Sequence, residues 1–376
     1  VELTGIGVDV GPGRLEGSGR IAGLDTGEAS VDLALRGRFG ETVADGTIRA
    51  DLLDDRTTVD FEIDAARIDF DELATLAGFD ARSPASARAR AVSWSVFPTA
   101  RAAEPVARGE TAALVARGSL RAREARFAGL TLTGMATAIR FEGGTVSFDD
   151  AAFELHGGRH EGRFRVDVED PGLPFELDSR LSGVDVNGLL SAFRPDLADT
   201  LHGTGVLAID VRGRAADAST DGTVVGRAEL RVEDGRLSGV ALLDQISSAL
   251  SAASGRQATT AFTLLAAGFD LRDRRARTDD LRLRSQDLDL DGRGDVTFDG
   301  RLDLDLTAAL SPEATAGIVR QVRQLDFRVR DDGRLTLPIA VRGSLAEPEV
   351  GIDLRKVLED GLGRKLKDAL KDLFGR

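Results

Sequence analysis

Asp287-Leu288-Asp289-Leu290-Asp291 and Leu302-Asp303-Leu304-Asp305-Leu306 decide the fold class: in both stretches an aliphatic residue alternates strictly with an acidic one. Side chains point to opposite faces of a β-strand at a period of two, so each stretch reads as a strand with one apolar and one wetted face. The pattern recurs along the chain. It is present at Val59-Asp60-Phe61-Glu62-Ile63-Asp64, at Phe164-Arg165-Val166-Asp167-Val168-Glu169 and at Leu207-Ala208-Ile209-Asp210-Val211-Arg212. Repetition from end to end predicts a mainly β protein, an elongated, twisted, antiparallel sheet curled into a hydrophobic groove, with a few amphipathic helices. About twenty strands at ~4.8 Å each would extend on the order of 100 Å.

The apolar members of these runs are the candidate groove lining. They are Val59, Phe61 and Ile63; Phe164, Val166 and Val168; Leu207, Ile209 and Val211; Leu288 and Leu290; and Leu302, Leu304 and Leu306. If acyl chains cover that face, each buried methylene contributes about 0.8 kcal/mol, so one sixteen-carbon chain gains on the order of 10 kcal/mol without any specific polar site. Helices or other strands packed on the same face would account for the pattern equally well.

Composition narrows the function classes. The chain has 376 residues and a net charge of −14, from 63 Asp plus Glu against 49 Lys plus Arg, which argues against nucleic acid as a partner. With no Tyr, one Trp and 5% aromatics, it lacks the stacking platforms of carbohydrate or single-strand binders. No run reaches the ~18 apolar residues of a membrane-crossing helix, and no signal peptide is legible at the start. The sequence therefore reads as a region whose upstream part is missing.

Organisation follows changes of period. Residues 1–80 read as short strands ending in a helix at Asp71-Glu72-Leu73-Ala74-Thr75-Leu76-Ala77-Gly78-Phe79, and residues 81–112, rich in Ala, Arg and Pro, as a linker that could hold a strand near Trp94. Residues 113–350 read as strands with interspersed helices. Val186 to Leu197 is helical but disturbed by Pro195, Val240 to Ala253 is helical, and Ser311-Pro312-Glu313 opens a further helix with Ser at N-cap and Pro at N1. Between Leu283 and Leu288 the apolar parity changes, so a turn is expected near Ser285-Gln286. Residues 351–376 form the strongest helix signal, amphipathic and basic, with seven basic and five acidic side chains from Asp353 onward. Lys356, Arg364, Lys365, Lys367 and Lys371 are its candidate contacts with a membrane surface or a partner.

Catalytic and metal-binding motifs are weak. His156 and His160 have the i, i+4 spacing of a zinc pair on a helix, but Gly157-Gly158 between them favours a turn. Asp287 to Gly292 matches the first half of a calcium loop, yet position twelve is Phe298 where a bidentate Glu is needed. There is no nucleophile elbow and no Cys, so neither an enzyme nor a cofactor is expected.

An ordered series of short segments carries a family resemblance. It comprises Gly157-Gly158 before Phe164 to Val168; Leu181-Ser182-Gly183-Val184-Asp185-Val186 leading into Leu189-Leu190; and Leu201-His202-Gly203-Thr204-Gly205. Asp234-Gly235-Arg236-Leu237-Ser238-Gly239-Val240, Thr260-Ala261-Phe262, Asp291-Gly292-Arg293-Gly294 and Leu337-Pro338-Ile339 with Val341-Arg342-Gly343-Ser344-Leu345 continue it. In this order the segments resemble the C-terminal region of the AsmA family of bacterial envelope proteins. The resemblance implies a periplasmic location, with an inner-membrane anchor upstream of this chain, and a kinship to bridge-like lipid transfer proteins. Phospholipid is the partner it implies, and no catalytic residue. The expected function is passive binding or conduction of acyl chains between membranes. A structural or assembly factor for outer-membrane proteins is the alternative.

Overall fold

In a computed structural model of the chain, the described residues are 1–10, 13–23, 28–53, 55–76, 113–127, 129–215, 223–238, 261–321, 329–345 and 347–352. The expected linker at 81–112, the helix at Val240 to Ala253 and the C-terminal helix with Lys356, Arg364, Lys365, Lys367 and Lys371 lie outside them. Among the described residues are eighteen strands and three α-helices, so the fold is mainly β. The chain divides into two compact units, residues 1–182 with 208–226 and residues 183–207 with 227–376.

The first unit is a ladder in sequence order. Its strands are β1 (Glu2–Val10), β2 (Gly13–Ala22), β3 (Ala29–Phe39), β4 (Thr42–Leu52) and β5 (Arg56–Asp69), followed by β6 (Ala113–Phe127), β7 (Leu130–Glu142), β8 (Thr145–Leu155), β9 (Gly158–Asp167) and β10 (Pro174–Asp185). Each pairs antiparallel with the next except β5 and β6, which run parallel over Arg56↔Ala113 to Asp69↔Arg126. That junction departs from the antiparallel expectation. Its cause is the long connection from Phe70 to Ala112, since a parallel neighbour requires a crossover of a dozen or more residues.

The connection begins with α1 (Phe70–Leu76). Asp69 caps it, its carboxylate accepting the Glu72 N–H at 2.9 Å. Phe70 meets Phe127 edge-on, with ring centroids 6.4 Å apart. Beside it Ala65, Ile68, Ala125, Leu130 and Leu132 are buried.

The second unit contains α2 (Val186–Phe193) and a 3-10 helix at Pro195–Leu197, the break falling at the expected proline. Two strands, β11 (Leu201–Arg214) and β12 (Val225–Leu237), bridge the division between the units in sequence. The remaining strands are β13 (Ala261–Arg272), β14 (Arg275–Arg284), β15 (Leu288–Thr297), β16 (Leu302–Leu310), β17 (Thr336–Gly343) and β18 (Pro348–Ile352), an antiparallel ladder in chain order. The expected parity break is the β14–β15 turn, closed by Ser285, whose hydroxyl donates to the Leu288 carbonyl at 2.7 Å.

Helix α3 (Pro312–Gln321) starts where Ser311 and Pro312 placed it, the Ser311 hydroxyl accepting the Ala314 N–H at 3.2 Å. Ala314 and Val319 close a core formed with Leu288, Leu304, Leu306, Ala308, Leu310, Leu335, Leu337, Ile339 and Val341. Thr315 is 3% exposed and its hydroxyl takes the Leu335 N–H at 2.8 Å, tying the helix to the segment entering β17.

Candidate functional site: an open apolar face

Register in the first unit aligns the apolar residues of successive strands into rows. One row reads Ile21, Val31, Ala50, Val59, Ala116, Phe141, Val146, Val166, Phe175, each directly opposite the next from β2 to β10. The neighbouring row reads Gly19, Leu33, Ile48, Phe61, Gly118, Ile139, Phe148, Phe164, Leu177. Nine strands make eight spacings, about 38 Å at ~4.8 Å each. Every member of both rows is only half-buried except Phe175. A face packed under a second layer would have its large side chains almost wholly covered, as in the closed core of the second unit.

Glycines give this face its floor. A methyl group at Gly19 would collide with the Leu33 side chain, one at Gly17 with Leu35, and one at Gly118 with the Phe61 ring, whose Cε2 would be 2.6 Å away. Each large side chain thus lies over the glycine of the adjacent strand. The Phe148, Phe164 and Phe175 rings continue the cover, with centroids 6.2 and 6.3 Å apart.

The opposite face of the same strands carries cross-strand ion pairs: Arg49 with Asp32 at 2.8 Å, Arg36 with Asp45 at 2.6 Å and Arg163 with Asp178 at 3.6 Å. Hydrogen bonding from Arg36 holds the Asp45 carboxyl below the usual carboxylate range. Such exposed pairs add little stability. They do oppose a one-residue register slip, which would turn every apolar side chain to the wetted side. A concavity of about 470 Å³ lies on this polar face, lined by Glu16, Arg36, Asp45, Thr47, Glu62 and Asp64. Among the described residues no cluster could hold a metal ion.

The expected lining residues separate into three groups. Val59 and Val166 share one row, Phe61 and Phe164 the next, and Ile63 lies opposite Gly46 and Leu120 on the same face. Leu207 and Ile209 on β11 are half-buried and Val211 is buried. The second-unit residues correct the expectation. Leu288, Leu304 and Leu306 are 6%, 8% and 8% exposed in the core closed by α3, with Leu290 and Leu302 packed against it. Val168 follows the end of β9 and is 48% exposed, its N–H donating to the Gly144 carbonyl at 2.8 Å before Asp167 turns the chain by accepting the Glu169 and Asp170 N–H groups.

The motif residues disperse. His156 sits in the β8–β9 turn with φ 47°, while His160 stacks on Phe153 at 4.1 Å and its Nε2 is 2.9 Å from the Ser179 hydroxyl. His160 and Ser179 thereby place a polar pair on the apolar face, which sequence reading did not single out. Burial pushes the imidazole below its ordinary 6.5. Asp289 and Asp291 are taken by Arg334 and Arg284, and do not converge on a cation.

A ladder of one-sided strands with an open apolar face is a scaffold for extended apolar contact. The chain belongs to the AsmA family, an envelope-associated family whose model matches residues 24–281, more than two thirds of the 376 residues. No curated protein and no solved structure matches the chain. Among the described residues no helix is long and apolar enough to cross a membrane.

Proposed function

We propose that the first unit binds phospholipid acyl chains along its apolar face and acts without chemistry in the cell envelope, on the periplasmic side of the inner membrane. The observation that carries the reading is the pair of nine-strand rows, apolar throughout yet only half-buried at every position but Phe175. A water-exposed hydrocarbon surface of that continuity costs free energy unless something apolar covers it. An acyl chain suits it better than a folded partner: lateral fit to a glycine-floored surface needs no pocket and no polar partner.

The experiment is photo-crosslinking from position 61 to a lipid probe in cell envelopes, with position 60 on the wetted face as control. Mass spectrometry of the purified protein identifies what remains bound. Labelling at 61 and not at 60, with co-purified phospholipid, is the expected result. Equal labelling at both positions, or a protein client with no lipid, would reject the reading and favour an assembly factor.

A further inference from the structure

The apolar face of the first unit has two unlike margins. At one of them β5 runs into α1, β7 begins and β8 ends, and the apolar side chains there, Ile68, Leu130, Leu132 and Leu155, are buried. At the other they stand in water. Apart from Val1 at the start of the chain, five large apolar side chains are exposed among the described residues. Four of them, Leu52, Leu53, Leu114 and Val168, lie on this second margin, each 40 to 48% exposed. The fifth is Val8 on β1. Pairing brings the four to one side: β4 ends at Leu52, opposite Thr57 near the start of β5, and Thr57 lies opposite Leu114 near the start of the parallel strand β6. The end of β7 follows at Val115↔Glu142, and the Val168 N–H is bonded to Gly144 in the β7–β8 turn.

A period of two fixes the face. Leu52 is two residues beyond Ala50, Leu114 two before Ala116 and Val168 two beyond Val166, and all three reference residues belong to the first apolar row. The three side chains therefore form the next row outward on the same face. Ala29, Leu52, Thr57 and Leu114 stand directly opposite one another in that row, and none is charged. A hydrocarbon chain leaving the face over this margin crosses no charged sill. Leu53 adds an apolar tip at the β4–β5 turn, where its N–H donates to the Arg56 carbonyl at 2.8 Å.

We infer that this margin dips into the surface of a zwitterionic phospholipid leaflet, with Leu52, Leu53, Leu114 and Val168 at the hydrocarbon boundary. The six charged residues within two positions of these tips, Asp51, Asp54, Asp55, Asp167, Glu169 and Asp170, are all acidic. Carboxylates at that depth meet the ammonium ends of zwitterionic headgroups, whereas an anionic leaflet repels them. A folded protein partner suits the margin less well. The tips are spread from β4 to β9, five spacings or about 24 Å, as a line of separate side chains and not the patch of roughly 800 Å² that a stable protein interface buries on each partner. Fluid hydrocarbon closes around separate aliphatic tips without needing a matching surface. The inference rests on the acyl-chain reading and adds the margin over which chains pass between bilayer and protein.

The full chain is sedimented with phosphatidylcholine vesicles, and again with phosphatidylglycerol added, at low and high salt. Leu52→Ser with Leu114→Ser should lower binding to phosphatidylcholine by about ten-fold per leucine, roughly a hundred-fold for the pair, at either salt concentration. The thermal midpoint should barely move, because both side chains are already exposed, and Val8→Ser should leave vesicle binding unchanged. Added phosphatidylglycerol should weaken binding at low salt. As an independent readout, Leu53→Trp in a chain carrying Trp94→Phe should shift its emission to the blue on vesicles and be quenched by brominated acyl chains. Equal vesicle binding by the parent and the double variant, or no quenching at position 53, overturns the inference. So does a leucine-dependent self-association of the chain without vesicle binding, which would make the margin an interface between copies. Insertion at position 53 with no labelling from position 61 would count against the acyl-chain reading alone.

Discussion

Replacing an apolar residue by aspartate should separate the two units. Leu306 is 8% exposed in the core closed by α3, packed with Leu304, Ala308 and Ile339. Leu306→Asp loses the transfer free energy of a buried leucine, about 2 kcal/mol, and strands a carboxylate without a partner, about 3–5 kcal/mol. The sum, about 5–7 kcal/mol, matches the whole stability of many domains. Phe61 is half-buried between Ile48 and Gly118 on the open face. Phe61→Asp loses about half of a comparable transfer term, on the order of 1–2 kcal/mol, and its carboxylate stays hydrated. Urea unfolding followed by circular dichroism measures both. The second unit should lose its transition in Leu306→Asp and keep it in Phe61→Asp, and Phe61→Asp should lose lipid labelling. Equal destabilisation by the two substitutions would refute the distinction between a closed core and an open face.

Three further outcomes follow from single contacts. Thr315→Val leaves the Leu335 N–H without its acceptor in a buried site and should cost about 1–3 kcal/mol in urea unfolding, with little change in α3 itself. Gly118→Ala forces a methyl against the Phe61 carbonyl and ring and should cost about 1–3 kcal/mol, while Gly129→Ala, where nothing lies within 4 Å, should cost only the strain of its φ of 78°. His160 is held below 6.5 by burial, so the unfolded chain binds the proton more readily than the folded one. Its contribution is fully present above 6.5 and is lost as pH falls from 6.5 through the folded value; His160→Phe should flatten that part of the stability profile measured by unfolding between pH 7 and 5.

Sequence reading succeeded where the signal is local. Alternation at Val59 to Ile63 and at Phe164 to Val166 located strands and their apolar sides, Pro195 the helix break, Ser311 a cap, and the parity change at Ser285 a turn. It failed where the outcome depends on what lies above a strand. Leu302 to Leu306 and Val59 to Ile63 have the same pattern, yet one is sealed by α3 and the other is open. Alternation records that a face is apolar and carries no information about its cover. The parallel β5–β6 junction was equally hidden, because each strand alone is compatible with either direction. The glycine floor needs the register as well: Gly19 and Leu33, or Phe61 and Gly118, become partners only once the strands are aligned.

That floor has a kinetic consequence. Where side chains lie flat over neighbouring glycines, the surface offers no deep well in which the end of a hydrocarbon could lodge. A chain crossing the strands would meet a nearly equivalent surface at each step of ~4.8 Å, so its free energy would be close to periodic, with shallow barriers. Motion on such a profile is one-dimensional diffusion. Net flux along the row would then be set by the difference in chemical potential between its two ends, with no power stroke required of the protein.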